Sequence, residues 1–216
     1  MMKLRSSPPS PFGRKVKLAA AILGLKDRIE ILDTNTADPA DSIRSQNPLG
    51  KIPALVLENG DVLYDSSVIV EYFDFLAGGG KLFPEGEARF AVLRDQTLAD
   101  GIMDAAILRV YEKRFKEQKY RDPAWDAYQA AKMERGLAHF EENTPPAPSS
   151  VSDVTAGMLT LACALGYLDM RFASDWRSSH PRLVAWLDAF EAAVPAFADT
   201  RQPAAPVPDN APAVLR

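Results

Sequence analysis

Asn47-Pro48-Leu49-Gly50-Lys51-Ile52-Pro53, then Ala54-Leu55-Val56-Leu57, then Val62-Leu63-Tyr64-Asp65-Ser66-Ser67 beyond Asn59-Gly60: this stretch decides the fold. The two apolar runs have strand length, and Asn-Gly between such runs is a hairpin signal. Ile52-Pro53 stands directly before the first of them. Proline withholds a donor from the ladder, and an X–Pro bond can be cis where a tight turn demands it. The backbone of Ile52 is then left to pair with an extended peptide laid alongside. An ordinary turn entering an edge strand would account for the same residues. After the hairpin the period changes. Val68, Ile69, Tyr72, Phe73 and Leu76 recur at helical spacing, and Gly78-Gly79-Gly80 closes the helix.

Upstream, Met2 to Ser6 has strand length, and prolines at 8, 9 and 11 punctuate it. From Phe12 the pattern is helical, with Val16, Ala20 and Leu23 on one face and Gly24 as the stop. Arg28 to Leu32 reads as a second strand with Ile29 and Ile31 on one side. Asp38-Pro39-Ala40 begins a short helix or turn. The order over 80 residues is strand, helix, strand, helix, strand, strand, helix.

The remainder differs in kind. Glu87 to about Lys119 is a long helical stretch without proline, and Pro123 starts another that runs to Asn143. Thr144 to Pro148 is a loop. Ser150-x-x-Asp153 has the form of a helix start. Behind it Val154, Met158, Leu161, Leu165 and Leu168 share a face. Pro181 starts a further helix carrying Leu183, Leu187, Phe190 and Val194. From Gln202 the tail holds Pro203, Pro206, Pro208 and Pro212 and is expected to be loosely ordered. No strand is expected after Tyr64. The chain thus divides into a mixed unit, 1–80, and an all-helical unit, 86–216.

Composition narrows the function. The 216 residues carry a net charge of −4, with 47% hydrophobic and 25% charged residues, as in a soluble globular protein. That balance argues against a nucleic-acid binder, which needs a basic footprint. One cysteine forms no internal disulfide and no cysteine-based zinc site, and two histidines build no metal cage, so no metal is expected. Cys163, inside an apolar helix, is expected to be a buried small hydrophobe. His139 and His180 have no evident partner in the sequence, the latter standing at a helix entry. No apolar run approaches the roughly 20 residues that span a bilayer, so no membrane partner is expected. The first 26 residues hold six basic residues and no acid, as transit peptides do. The prolines at 8, 9 and 11 break such a presequence helix, and the cytoplasm is the default.

Three segments carry chemistry. Ser10 stands at an N-cap ahead of Pro11, where free amides and the helix dipole favour an anion. A thiol held there loses its proton more readily. The protein offers a hydroxyl there and no thiol, so the thiolate would belong to a ligand, with the Ser10 hydroxyl donating to it. Simple capping is the competing role. The Asn47–Pro53 turn is the second segment. Asp65-Ser66-Ser67 is the third, offering a carboxylate to a ligand ammonium, and a hydroxyl and amides to a ligand carboxylate.

This order of elements, with these segments at its corners and a helical unit behind, resembles the cytosolic glutathione transferases. The most specific parts are Asn47 to Pro53, Asp65-Ser66 with Ile69 and Tyr72-Phe73, and Ser150-x-x-Asp153. Leu98 to Asp104 and Ala162 to Leu168 are similar to the bacterial YibF-like branch. The resemblance implies an α+β fold: a thioredoxin-like βαβαββα domain binding glutathione, then an all-α helical-bundle domain. It implies that Ile52, before a cis Pro53, pairs with the cysteinyl part of glutathione. It further implies that Asp65 and Ser66 hold the γ-glutamyl end, that Lys51 reaches the glycine carboxylate, and that Phe12 lines the site. Ser10 falls in the slot of the catalytic serine or cysteine, with Ser7 as nearby competitor. The tyrosine other members keep near the first strand is missing, since none precedes Tyr64. The implied activity is conjugation of glutathione to a small electrophile, with Met103, Ile107 and Tyr111 as pocket candidates, although such a stripe is more often core. A homodimer is implied. A glutathione-dependent disulfide reductase or peroxidase, and a non-catalytic glutathione-binding module, are the alternatives. A glutaredoxin-type enzyme would want Cys-x-x-Cys, and this chain has Ser10 and Gly13 there.

Overall fold

The structure is a computed structural model that describes residues 1–201; the proline-rich tail from Gln202 lies outside the described residues. Four strands, β1 (Met2–Ser6), β2 (Ile29–Asp33), β3 (Ala54–Val56) and β4 (Val62–Leu63), form one mixed sheet in the order β2-β1-β3-β4. β1 runs parallel to β2, Leu4 opposite Ile31, and antiparallel to β3, Leu4 opposite Leu55. β3 and β4 close the hairpin, Leu55 opposite Leu63, and the Leu57 amide donates to the Asp61 carbonyl across the turn.

The helix α1 (Pro11–Ile22) is built as its sequence dictates. Ser10 is the cap, Pro11 opens the first turn, and Gly24, at φ +71°, ends it. The Leu25 amide reaches back to the Ala20 carbonyl and the Gly24 amide to Ala21, so the terminal carbonyls are satisfied. α2 (Ile43–Gln46) is one short turn, and Asp38 to Ala40 is a turn outside it. α3 (Ser66–Leu76) packs against α1 and β3. Leu4, Leu55, Val16, Ile69 and Phe73 are fully buried in the shared core.

The helical part contains α4 (Ala88–Phe115), α5 (Pro123–Glu142), α6 (Ala156–Arg171), α7 (Pro181–Ala193) and α8 (Ala196–Asp199). α6 is the central rod, packed against α1, α4 and α7. Leu159, Leu161, Ala162, Cys163, Ala164 and Leu165 are all fully buried, so apolar residues face inward on every side. The single stripe expected from Val154 to Leu168 understates this, because the helix has no solvent face to mark with charge. Among the described residues no strand follows β4, and no helix is long and apolar enough to cross a membrane.

Several local expectations are corrected. β2 spans Ile29–Asp33, one residue later than the expected Arg28 to Leu32; it is an edge strand, with Ile31 55% exposed. On α3, Val68 is 46% exposed and Val70 is buried in its place, because the helix turns a narrower face to the sheet than the stripe implies. α4 ends at Phe115, four residues short of Lys119. Asp153 accepts from the amides of Ser149 and Ser150, but this box caps one 3-10 turn, Val151–Asp153. α6 starts later, with Thr155 accepting from the Met158 amide. His180 is buried and does have partners. Its Nδ1 lies 2.9 Å from the Trp176 carbonyl, and its Nε2 lies 3.7 Å from Glu134.

Candidate functional site

The sheet topology gathers the three segments at one end. β1 runs out through Ser6 toward Ser10, β3 begins at Ala54 opposite Arg5, and β4 delivers the chain to Asp65. Asn47, 2% exposed, shapes the middle segment: its side-chain amide donates to the Lys51 carbonyl, and its side-chain carbonyl accepts from the Leu49 amide. The Ile52–Pro53 bond is cis, as is Tyr64–Asp65. Ile52 is half-buried just outside the ladder, and Lys51 is exposed.

Ser10 accepts a hydrogen bond from the Gly13 amide at 3.0 Å. This does not consume its proton. A hydroxyl has one donor and two acceptor positions, so Ser10 can cap α1 and still donate outward. Capping is therefore compatible with contact to a ligand, since the cap uses only an acceptor position. Gly13 is required here for space, since a Cβ would lie 2.2 Å from the Ser6 Oγ. Phe12 is half-buried beside Ser10.

Asp65 caps α3 by accepting from the Ser67 amide at 2.9 Å, and its side chain is exposed at the corner. Ser66 is buried beneath it, and what lies beneath Ser66 was not foreseen from the sequence. Lys15 of α1, fully buried, donates to Ser66 (3.3 Å), to Ser67 (3.1 Å) and to both oxygens of Asp100 on α4 (2.9 and 2.8 Å). Ser67 also donates to Asp100 at 3.1 Å. One buried ammonium thus ties α1, the start of α3 and α4 together. Burial pushes the Asp100 carboxyl up, and the attraction of Lys15 offsets only part of that cost. Asp104, one turn along α4, is also pushed up by burial and then by Asp100, while Lys51 pulls it down. Lys51, Asp65, Asp100 and Asp104 therefore share one corner.

Two further cations were missed. Arg14, 7% exposed, donates to the Phe197 carbonyl at 2.8 Å and stacks 4.0 Å from the Phe197 ring, fastening α1 to α8. Arg5 reaches across to Thr34, Ser42, Gln46 and Asp41 and holds the segment around α2. The sequence carried one signal for Lys15: it lies in register with Leu18 and Ala19, on the face that is buried.

Of the three pocket candidates on α4, Met103 is fully buried in the core and has no surface to give a ligand. Ile107 is half-buried and Tyr111 is 43% exposed. Cys163 is fully buried, and burial pushes its thiol up to about 11. About one molecule in a thousand would then carry the thiolate at pH 8. Iodoacetamide at that pH is expected to leave Cys163 unmodified in the native protein and to label it in denaturant, as read by intact mass. Among the described residues no group of three or more metal-ligating side chains occurs.

Comparison with known proteins matches residues 9–75 to the family described as "Glutathione S-transferase, N-terminal domain". The chain is 32% identical over 186 residues to "Uncharacterized GST-like protein YibF" of Escherichia coli (strain K12), covering 85% of this chain and 90% of that protein. It is similar to the crystal structure of a glutathione S-transferase from Methylobacillus flagellatus KT with GSH bound, at 35% identity and TM-score 0.84, covering 93% of this chain and 99% of that one. A glutathione transferase family member from Pseudomonas fluorescens Pf-5, with bound glutathione, gives 36% identity and TM-score 0.85, covering 94% and 100%. A structure of a family member from the same strain, with bound S-(propanoic acid)-glutathione, gives 36% identity and TM-score 0.81 over the same shares.

Proposed function

The chain belongs to the glutathione transferase family, and we propose that it binds glutathione at the corner of Ser10, Ile52 and Asp65 and conjugates it to a small electrophile. The observation that carries this reading is the Ser10 hydroxyl: it caps α1 through a lone pair and keeps its proton for a sulfur. Family members from two bacteria, 35% and 36% identical to this chain, hold glutathione in crystals, which supports the same ligand here.

The thiol of glutathione would sit at the N-terminus of α1, where the helix dipole and the Ser10 proton both favour the thiolate. A two-unit drop in its pKa is worth about 2.7 kcal/mol. The thiol proton leaves to solvent. The sulfur lone pair then forms the new bond to carbon, and the leaving group departs with its electron pair. Ile52 would pair with the cysteinyl backbone, with Pro53 fixing the turn behind it and Phe12 alongside. Asp65 would accept from the γ-glutamyl ammonium and Ser66 would meet its carboxylate, while Lys51 reaches the glycine end. Ile107 and Tyr111 remain as the α4 wall of the electrophile pocket, and Met103 is left to the core. A cytoplasmic homodimer, divided into domains at about residues 80 and 86, completes the reading.

Asp65 is exposed at the mouth, so its loss spares the core and costs the α3 cap, about 1 kcal/mol. Asp65→Ala is expected to weaken glutathione binding at least tenfold, in line with the loss of a charge-assisted hydrogen bond. Retention on glutathione-agarose and calorimetry check this. If the unaltered protein fails to bind glutathione at millimolar concentration, the proposal fails.

A further inference from the structure

The turn that presents Ile52 is held at both ends, and Arg5 is the residue common to the two. On the sheet side, Arg5 of β1 stands opposite Ala54 of β3, the residue after the cis Pro53. On the other side its guanidinium reaches the segment that precedes the turn. Nε donates to the Thr34 hydroxyl at 2.9 Å. Nη1 donates to the Ser42 hydroxyl at 2.8 Å and to the Gln46 side-chain carbonyl at 2.9 Å, and Nη2 donates to the Asp41 carboxylate. Asp41 passes the hold along by accepting from the Ile43 amide at 2.8 Å and the Asn35 amide at 3.1 Å. Gln46 adjoins Asn47, whose amide donates to the Ile43 carbonyl at 2.7 Å and whose side chain fixes Leu49 and Lys51. An unbroken run of bonds thus leads from Arg5 to the residue before Ile52. Little else fixes this segment. Between Asn35 and Gln46 only Ile43 is buried. A stretch with one apolar anchor lies at the low-stability end of a fold, so its polar ties set its place. Arg5, 7% exposed, supplies them from an interior strand of the sheet.

Resting on the glutathione reading above, we infer that Arg5 is a positioning residue for glutathione: it sets the turn from Asn47 to Pro53 so that the Ile52 backbone meets the cysteinyl part of the ligand. It acts through α2 and Asn47 and does not touch the ligand. An affinity that depends on the turn being in place falls with the fraction of molecules that have it in place. Ser10 and the start of α1 lie outside this run of bonds, so the chemistry of the bound thiol does not depend on it.

The test is Arg5→Met, which keeps the backbone pairing with Ala54 and removes only the ties to the segment. Calorimetry is expected to show glutathione bound about tenfold more weakly, as when the turn is in place in about a tenth of the molecules. With chlorodinitrobenzene as electrophile, KM for glutathione is expected to rise by the same factor. The kcat, the KM for the halide and the rising limb of the pH–rate profile are expected to stay where they are. A residue that served folding alone would lower the folded fraction and leave the affinity of the folded molecules unchanged. Arg5→Lys keeps a cation for Asp41 without the planar fork and should fall between the two. If Arg5→Met does not fold, as read by circular dichroism, Ser42→Ala combined with Gln46→Met takes its place. That pair removes the two Nη1 acceptors alone and is expected to raise KM for glutathione in the same way. Normal glutathione affinity in the folded variant overturns the inference, as does a loss of kcat with KM for glutathione unchanged. Failure of the unaltered protein to bind glutathione, measured by calorimetry, overturns the parent reading instead, and this one with it.

Discussion

Lys15→Met is expected to lower stability by about 3 kcal/mol and to weaken glutathione binding more than tenfold. Breaking a buried ion pair from one side leaves the other charge uncompensated, at a typical cost of about 3–5 kcal/mol. The lower end applies, because the Asp100 side chain is 17% exposed and keeps its bond from Ser67. Asp100, already pushed up by burial, would take a proton once Lys15 is gone. The sign follows from that shift. A carboxyl raised in the folded state costs stability when ionised, so the variant should lose least in acid and most as pH rises past the folded value. Denaturant midpoints across pH measure this. The binding effect separates positioning from packing. Lys15→Met with Asp100→Leu removes both charges and should recover most of the stability, since an apolar pair of similar volume can replace an ion pair. It should not recover the affinity, because Ser66 and Ser67 lose the donor that sets them. If the double variant binds glutathione normally, Lys15 is a structural residue only.

Ser10→Ala should reduce kcat by about 10²-fold while changing glutathione affinity much less. The scale is that of removing one preorganised donor from a developing or held anion. The pH–rate profile gives the decisive signature: its rising limb should move up by about one to two units as the bound thiol loses its donor. The same change removes the α1 cap and costs about 1 kcal/mol of stability. Two further variants separate the roles. Ser10→Thr keeps cap and hydroxyl and should restore the rate. Ser10→Asp keeps the cap, offers no donor, repels a thiolate and should stay slow. A Ser10→Ala rate equal to that of the unaltered enzyme would shift the donor to Ser7 or to a backbone amide of α1.

Local chemistry was legible because it is written in neighbouring residues. Pro11 and Ser10 specify the start of α1 and Gly24 its end, through φ preferences and a cap that need no tertiary partner. Asn59-Gly60 specifies the hairpin, and the order of elements then limits the ways the sheet can be assembled. The three corner segments could be picked out for the same reason, each being a turn or a helix start with its own orphan groups. In the sequence Lys15 is one of six basic residues among the first 26. Its register with Leu18 and Ala19 is the one local sign of burial, and nothing nearby names its partner, because its acid arrives from 85 positions away. Met103 and Tyr111 lie on one α4 stripe in the sequence, yet one is core and the other exposed. A helical period tells which residues share a face, and it does not tell where the covering helix ends.

The sequence by itself determined the elements, their order, the glutathione transferase resemblance and the identity of the candidate thiol-activating hydroxyl. These rest on short-range backbone energetics and on composition, which act between residues close in the chain. Only the tertiary structure decided that Ser10 can cap and donate together, that Lys15 and Asp100 pair beneath Ser66, and that Arg14 fastens α1 to α8. Burial is a property of what the rest of the chain brings to a residue. It sets the cost of a charge and the direction of a pKa, so the electrostatics of the site exist only once α1, α4 and α6 have packed together.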